Sequence, residues 1–131
     1  MKFKDDIVKD RFHDMHPKAQ ELATEMDAWS VKHHGQELTL TATVSTIEED
    51  KELQRVSDTH RTRRAFDIRV KDLSEQHIAE LCAEFRKTWS KYGALVKGVR
   101  TLIVYKPHGT GPHLHVQLDR KFQLPTIAYK G

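Results

Sequence analysis

His113-Leu114-His115-Val116-Gln117-Leu118 alternates polar and apolar side chains without a break. A period of two is the signature of a strand with one buried and one open face. Leu114, Val116 and Leu118 fall on one side; His113, His115 and Gln117 fall on the other. A second stretch repeats the pattern, with Phe66, Ile68 and Val70 interleaved with Ala65, Asp67 and Arg69. If both strands turn their apolar sides to a common core, Asp67, His113 and His115 meet on the open side. His60 lies seven residues before Asp67, in a Ser/Thr/Arg-rich loop that runs into the same strand.

Around these strands the chain supplies helices. From Pro17, a favoured first helical residue, Ala19, Leu22, Ala23, Met26 and Trp29 recur at three- and four-residue steps up to Gly35. Ile78, Leu81, Cys82, Phe85 and Trp89 make a second apolar stripe, on a helix from Ser74 to about Gly93. Leu38, Leu40, Ala42 and Val44 alternate with threonines and Ser45 as a further strand. Ile47 to Val56 is expected to be a short acidic helix, Thr101 to Lys106 a strand stopped by Pro107, and His108 to Pro112 a tight turn. The sum is an α+β domain, a small and mostly antiparallel sheet with helices on one face and the polar cluster on the other. Residues 1–16 are expected to form a short helix or a mobile arm. Residues 17–121 form the domain, and 122–131 an edge segment or tail.

Composition narrows the function classes. The 131 residues carry a net charge of only +3, a mixed surface that gives little support to a polyanionic partner, so nucleic-acid binding ranks last. No apolar run approaches the ~18 residues of a membrane span. Met1-Lys2-Phe3-Lys4-Asp5-Asp6 turns acidic before an apolar stretch can begin, so no secretory signal is read there and a cytoplasmic product is expected. Cys82 is the only cysteine, which excludes an internal disulfide or a multi-cysteine metal site.

Two imidazoles and one carboxylate with a fourth position open form the ligand set of a catalytic zinc site. A structural zinc site is more often closed by cysteines. Other residues carry blander readings. His33 and His34 sit at a helix end as a solvated cap favoured by the helix dipole. Arg61, Arg63 and Arg64 either face solvent or hold an acidic peptide carboxylate. Trp29, Phe85 and Trp89 are core residues, Cys82 a small buried one, and His13, His16 and His77 lack partners at ligand spacing.

These residues resemble a known group. Ser57-Asp58-Thr59-His60-Arg61-Thr62-Arg63-Arg64-Ala65-Phe66-Asp67 is similar to the Ser-x-His-x-x-Gly-x-Ala-x-Asp segment of zinc D-alanyl-D-alanine carboxypeptidases. Gly111-Pro112-His113-Leu114-His115-Val116 resembles their His-x-His strand, shared with lysostaphin-type peptidases and the hedgehog signalling domain, which together form the LAS group. The likeness spans roughly residues 17 to 118. It implies zinc held by His60, Asp67 and His115, with His113 as the catalytic histidine beside it. It also implies a small phage-type peptidase acting on a peptidoglycan stem peptide or cross-link, reaching the wall by release from the host cell or within a particle. A catalytically silent hedgehog-type zinc module and a phage structural component are the alternatives.

Three departures accompany the likeness. Arg63 stands where the group has a glycine. Ser45 or Thr46 stands where many members have a substrate-holding arginine. No carboxylate occurs between Glu84 and His115, where several members place a catalytic acid, so the acid–base work would fall to His113 with His108 as a second.

Overall fold

The computed structural model describes residues 1–107 and 111–129. Strand β1 (Lys2–Phe3) leads to helix α1 (Asp6–Phe12), then α2 (Pro17–His34), β2 (Thr39–Ala42) and α3 (Ile47–Glu52). β3 (Ala65–Arg69), α4 (Glu75–Trp89), β4 (Ala94–Val96), β5 (Val99–Thr101), β6 (Ile103–Lys106) and β7 (His113–Gln117) follow. The main sheet has the order β1-β2-β3-β7-β6 and is antiparallel except for the parallel β1–β2 pair.

The long helices begin and end where local chemistry directs. Pro17 opens α2 behind His16, whose Nδ1 accepts from the Lys18 amide, and Gly35 closes it in the left-handed conformation at φ 64°. Ser74 caps α4 by accepting from the His77 amide. Leu22 and Met26 of α2 and Leu81 and Phe85 of α4 share one core with Leu40, Phe66, Ile68, Leu114 and Val116 of the sheet. The apolar face of the sheet is thus covered. The alternate residues Asp67, His113 and His115 are left on the other side.

Residues 1–16 do contain a helix, but they are not a mobile arm. β1 pairs with Thr39 and Leu40, and Val8, Phe12 and Met15 are buried in the core. The acidic helix stops at Glu52, short of Val56, because Gln54 turns to a positive φ of 54°. The strand expected over Thr101 to Lys106 is divided: Thr101 ends β5 in a two-stranded hairpin with β4, and β6 begins at Ile103. That hairpin turns on Lys97 and Gly98, both at positive φ as a two-residue type I′ turn requires. At the other end, Arg120–Phe122 is one 3-10 turn, and residues 123–129 join no sheet.

Register matters most in the middle of the sheet. Asp67 pairs with His115 and Arg69 with His113 across β3 and β7. Between β2 and β3 the pairing shifts, Leu40 facing Ile68 while Ala42 faces Asp67, so β2 holds one extra residue beside Asp67. Such a bulge bends the strand and re-aims the groups after it. The next carbonyl, that of Thr43, is one of them.

Candidate metal centre

Three elements bring the donors together. β3 presents Asp67, β7 presents His115 directly opposite, and the loop before β3 folds His60 over both. His60 Nε2 lies 3.1 Å and His115 Nδ1 2.9 Å from the same oxygen, Asp67 Oδ1. The three donor atoms lie within 4.8 Å of one another, and all three residues are buried.

The outer hydrogen bonds decide where the imidazole protons sit. His60 Nδ1 is 2.7 Å from the Thr43 carbonyl, which can only accept, so Nδ1 carries the hydrogen. A neutral His60 therefore aims the Nε2 lone pair at a carboxylate oxygen. His115 is arranged alike. Its Nε2 lies 3.1 Å from Gln117 Oε1, and Gln117 is oriented by the bond from its own Nε2 to the Thr101 carbonyl. The proton belongs on Nε2, and the Nδ1 lone pair faces Asp67. Thr59 Oγ1, also 3.1 Å from Nε2, completes the shell.

Three lone pairs aimed at one point repel unless both rings are protonated or a cation lies among them. Burial holds the His115 imidazole below its ordinary pKa, despite the opposing pull of Asp67. Burial would raise the Asp67 carboxyl, but the positive charge and N–H groups that His60 and His115 bring in their protonated forms outweigh it and hold the group far below the usual carboxylate range; a cation among the donors does the same when the rings are neutral. An ionised carboxylate with an imidazole biased to its neutral form suits a divalent cation. Outer partners that fix ligand tautomers are the usual second layer of such sites. The donor set fits a metal ion and does not identify which.

The ligand loop is fastened by its arginines. Arg61 binds Asp50 (3.1 Å), and Arg63 donates to the Asp14 and Pro125 carbonyls. Arg64, itself buried, bonds Asp58 (3.0 Å) and the Leu118 carbonyl (2.7 Å). These three side chains neither face solvent freely nor wait for a peptide carboxylate. Arg63 takes the positive φ of 69° that the glycine of the resembling segment would take without strain. Ser45 and Thr46 are structural too: Ser45 Oγ donates to Asp50, and Thr46 forms a capping box with Glu49.

A cleft of about 580 Å³ opens beside the donors, lined by His60, Asp67, His113, His115, Arg55 and Lys106. His113 Nδ1 is 2.9 Å from the Gly111 carbonyl, which leaves Nε2 facing the cleft, 3.6 Å from Asp67 Oδ2. Sequence reading missed Arg55 and Lys106; Lys106 ends a strand and pairs with His113, a register no local pattern gives, and nothing marked Arg55, which follows a helix end. Asp58 is held by Arg64 and Glu80 by His34, and neither lines the cleft. His108 lies outside the described residues.

The other histidines stay away from the centre. His16 caps α2. His34 is no solvated cap: it stacks on His77 at 4.0 Å and contacts Glu80. His77 is buried, with Nε2 2.8 Å from Ser30 Oγ. Burial likewise pushes the Cys82 thiol pKa up, in keeping with an inert core residue. Among the described residues no helix is long and apolar enough to cross a membrane. The chain matches no protein-family model, no curated protein and no solved structure.

Proposed function

We propose that the protein is a zinc-dependent peptidase acting on peptide bonds of bacterial cell-wall peptidoglycan. The observation that carries this reading is the convergence of two imidazole nitrogens and a carboxylate oxygen at one wall of an open cleft. The LAS-like segments around His60, Asp67 and His115 supply the substrate class. His60 through Nε2, Asp67 through Oδ1 and His115 through Nδ1 would hold the ion, which supplies Lewis-acid polarisation of a carbonyl and an acidified water.

The chain's own groups do the remaining work. Thr43 and Gln117 hold the ligand rings in the tautomers that leave the inner nitrogens free. His113, oriented by the Gly111 carbonyl, keeps Nε2 available to move a proton or stabilise negative charge on a bound peptide. Arg55, anchored to Asp50 at 3.0 Å, and Lys106 give the cleft a positive rim that favours an anionic transition state.

One observation favours a second reading, a zinc module without turnover. Among the described residues, no carboxylate other than Asp67 lines the cleft beside His113. Digestion of purified peptidoglycan by the zinc-loaded protein separates the two. New amine ends with matching product masses support the peptidase, and stoichiometric zinc without products supports the silent module.

A further inference from the structure

A second recess adjoins the cleft and shares His113 with it. It measures about 80 Å³ and is lined by Lys4, Arg69 and Lys71 with Thr41 and His113. Among the described residues no carboxylate lines it. The arginines of the ligand loop each have fixed partners, but Lys4, Arg69 and Lys71 have no ion-pair partner among the described residues. Three cations around one small hollow repel one another until an anion enters.

We infer that this recess is a carboxylate subsite for the substrate. Its volume is on the order of a carboxylate with a water or two, too small for a large side chain. Arg69 supplies the planar fork that grips a carboxylate through two parallel bonds, and the lysines add charge without fixed geometry. The register sets its distance from the metal centre. Arg69 and His113 are direct partners, two residues along from the Asp67–His115 pair on the same face. Two residues of strand span about 7 Å, which is also about two residues of an extended peptide laid along the sheet. The subsite therefore selects peptides with a carboxylate one or two residues from the bond held at the centre. Its role in substrate choice rests on the peptidase reading; the binding of a carboxylate does not.

The test is a binding titration of the ¹⁵N-labelled full chain, with and without one equivalent of zinc, zinc content being measured on each sample. The probes are N-acetyl-alanyl-alanine, its C-terminal amide, and N-acetyl-glutamyl-alaninamide. The free acid is expected to bind at least tenfold more tightly than its amide and to shift the amide signals of Arg69 and Lys71. Arg69→Gln and the exposed-site variant Lys71→Ala should each weaken that binding several-fold with zinc content unchanged. If the glutamyl amide binds as tightly as the free acid, the anion comes from a side chain and the subsite stands. Equal binding of acid and amide forms, or undiminished affinity in both variants, overturns it. Absence of zinc binding alongside selective carboxylate binding would remove the peptidase reading and leave the subsite in place.

Discussion

Asp67 and His115 stand directly opposite each other on β3 and β7, with Asp67 Oδ1 2.9 Å from His115 Nδ1. The pairing makes the carboxylate the hub of the centre, because His60 reaches the same oxygen from the loop. One zinc per chain is the expected stoichiometry. His60→Ala, Asp67→Ala and His115→Ala should each retain less than about a tenth of the metal after dialysis, read by elemental analysis. Full occupancy in all three would place the ion elsewhere.

The layer behind the ligands should be felt as well. Gln117→Leu removes one of the two partners of His115 Nε2–H, leaving Thr59 Oγ1 alone to orient the ring. Zinc affinity should fall by about ten- to a hundredfold with the fold intact, as measured by competition with a chelating dye.

His113 Nε2 lies 3.6 Å from Asp67 Oδ2 and is not one of the three converging donors. His113→Ala should keep its zinc and lose about two or more orders of magnitude in kcat on a peptidoglycan peptide. Unchanged turnover would make His113 a bystander.

Arg63 sits at positive φ and also anchors the loop, so two substitutions separate backbone from side chain. Arg63→Ala and Arg63→Gly lose the same hydrogen bonds, but only glycine relieves the left-handed strain. Arg63→Gly should be the more stable of the two by about 1 kcal/mol in urea denaturation.

Asp50 carries the pH prediction. Burial pushes its carboxyl up, but bonds from Ser45, Arg55 and Arg61 bring it below the ordinary carboxylate value. A folded pKa below the unfolded one means the unfolded chain binds the proton more readily. The stabilisation is therefore complete above the unfolded pKa near 4 and is lost as pH falls through the lower folded value. Asp50→Asn should destabilise by roughly 1–2 kcal/mol at pH 7 and by much less at pH 2.5. An equal loss at both pH values would show that shape, not charge, is what Asp50 contributes.

Strand phase made the centre readable. Alternation around Phe66 and Val116 placed Asp67 and His115 on the open face, and the register sets them side by side. The hairpin of Ala94–Val96 and Val99–Thr101 escaped because its strands are short and largely exposed, so no apolar alternation marks them. β1 escaped for a similar reason: two residues have no period, and its pairing depends on a strand more than thirty residues away. The burial of His77 depended on α2 packing against α4, a tertiary fact that helix periodicity cannot carry. Arg61 and Arg64 looked like free loop cations because Asp50, on the preceding helix, and the Leu118 carbonyl, 54 residues from Arg64, reach them only through the fold.

The loop that carries His60 is fastened by distant parts of the molecule: the Asp14 carbonyl, the Thr43 carbonyl, the Leu118 backbone, and the Leu124 amide bonded to the Thr62 carbonyl. Each tie closes a long stretch of chain, and such closures cost entropy before they return any contact energy. Binding competence is consequently expected late in folding. A refolding chain should regain helical circular dichroism before it can sequester zinc, and partly folded species should hold the metal no better than their unlinked side chains would.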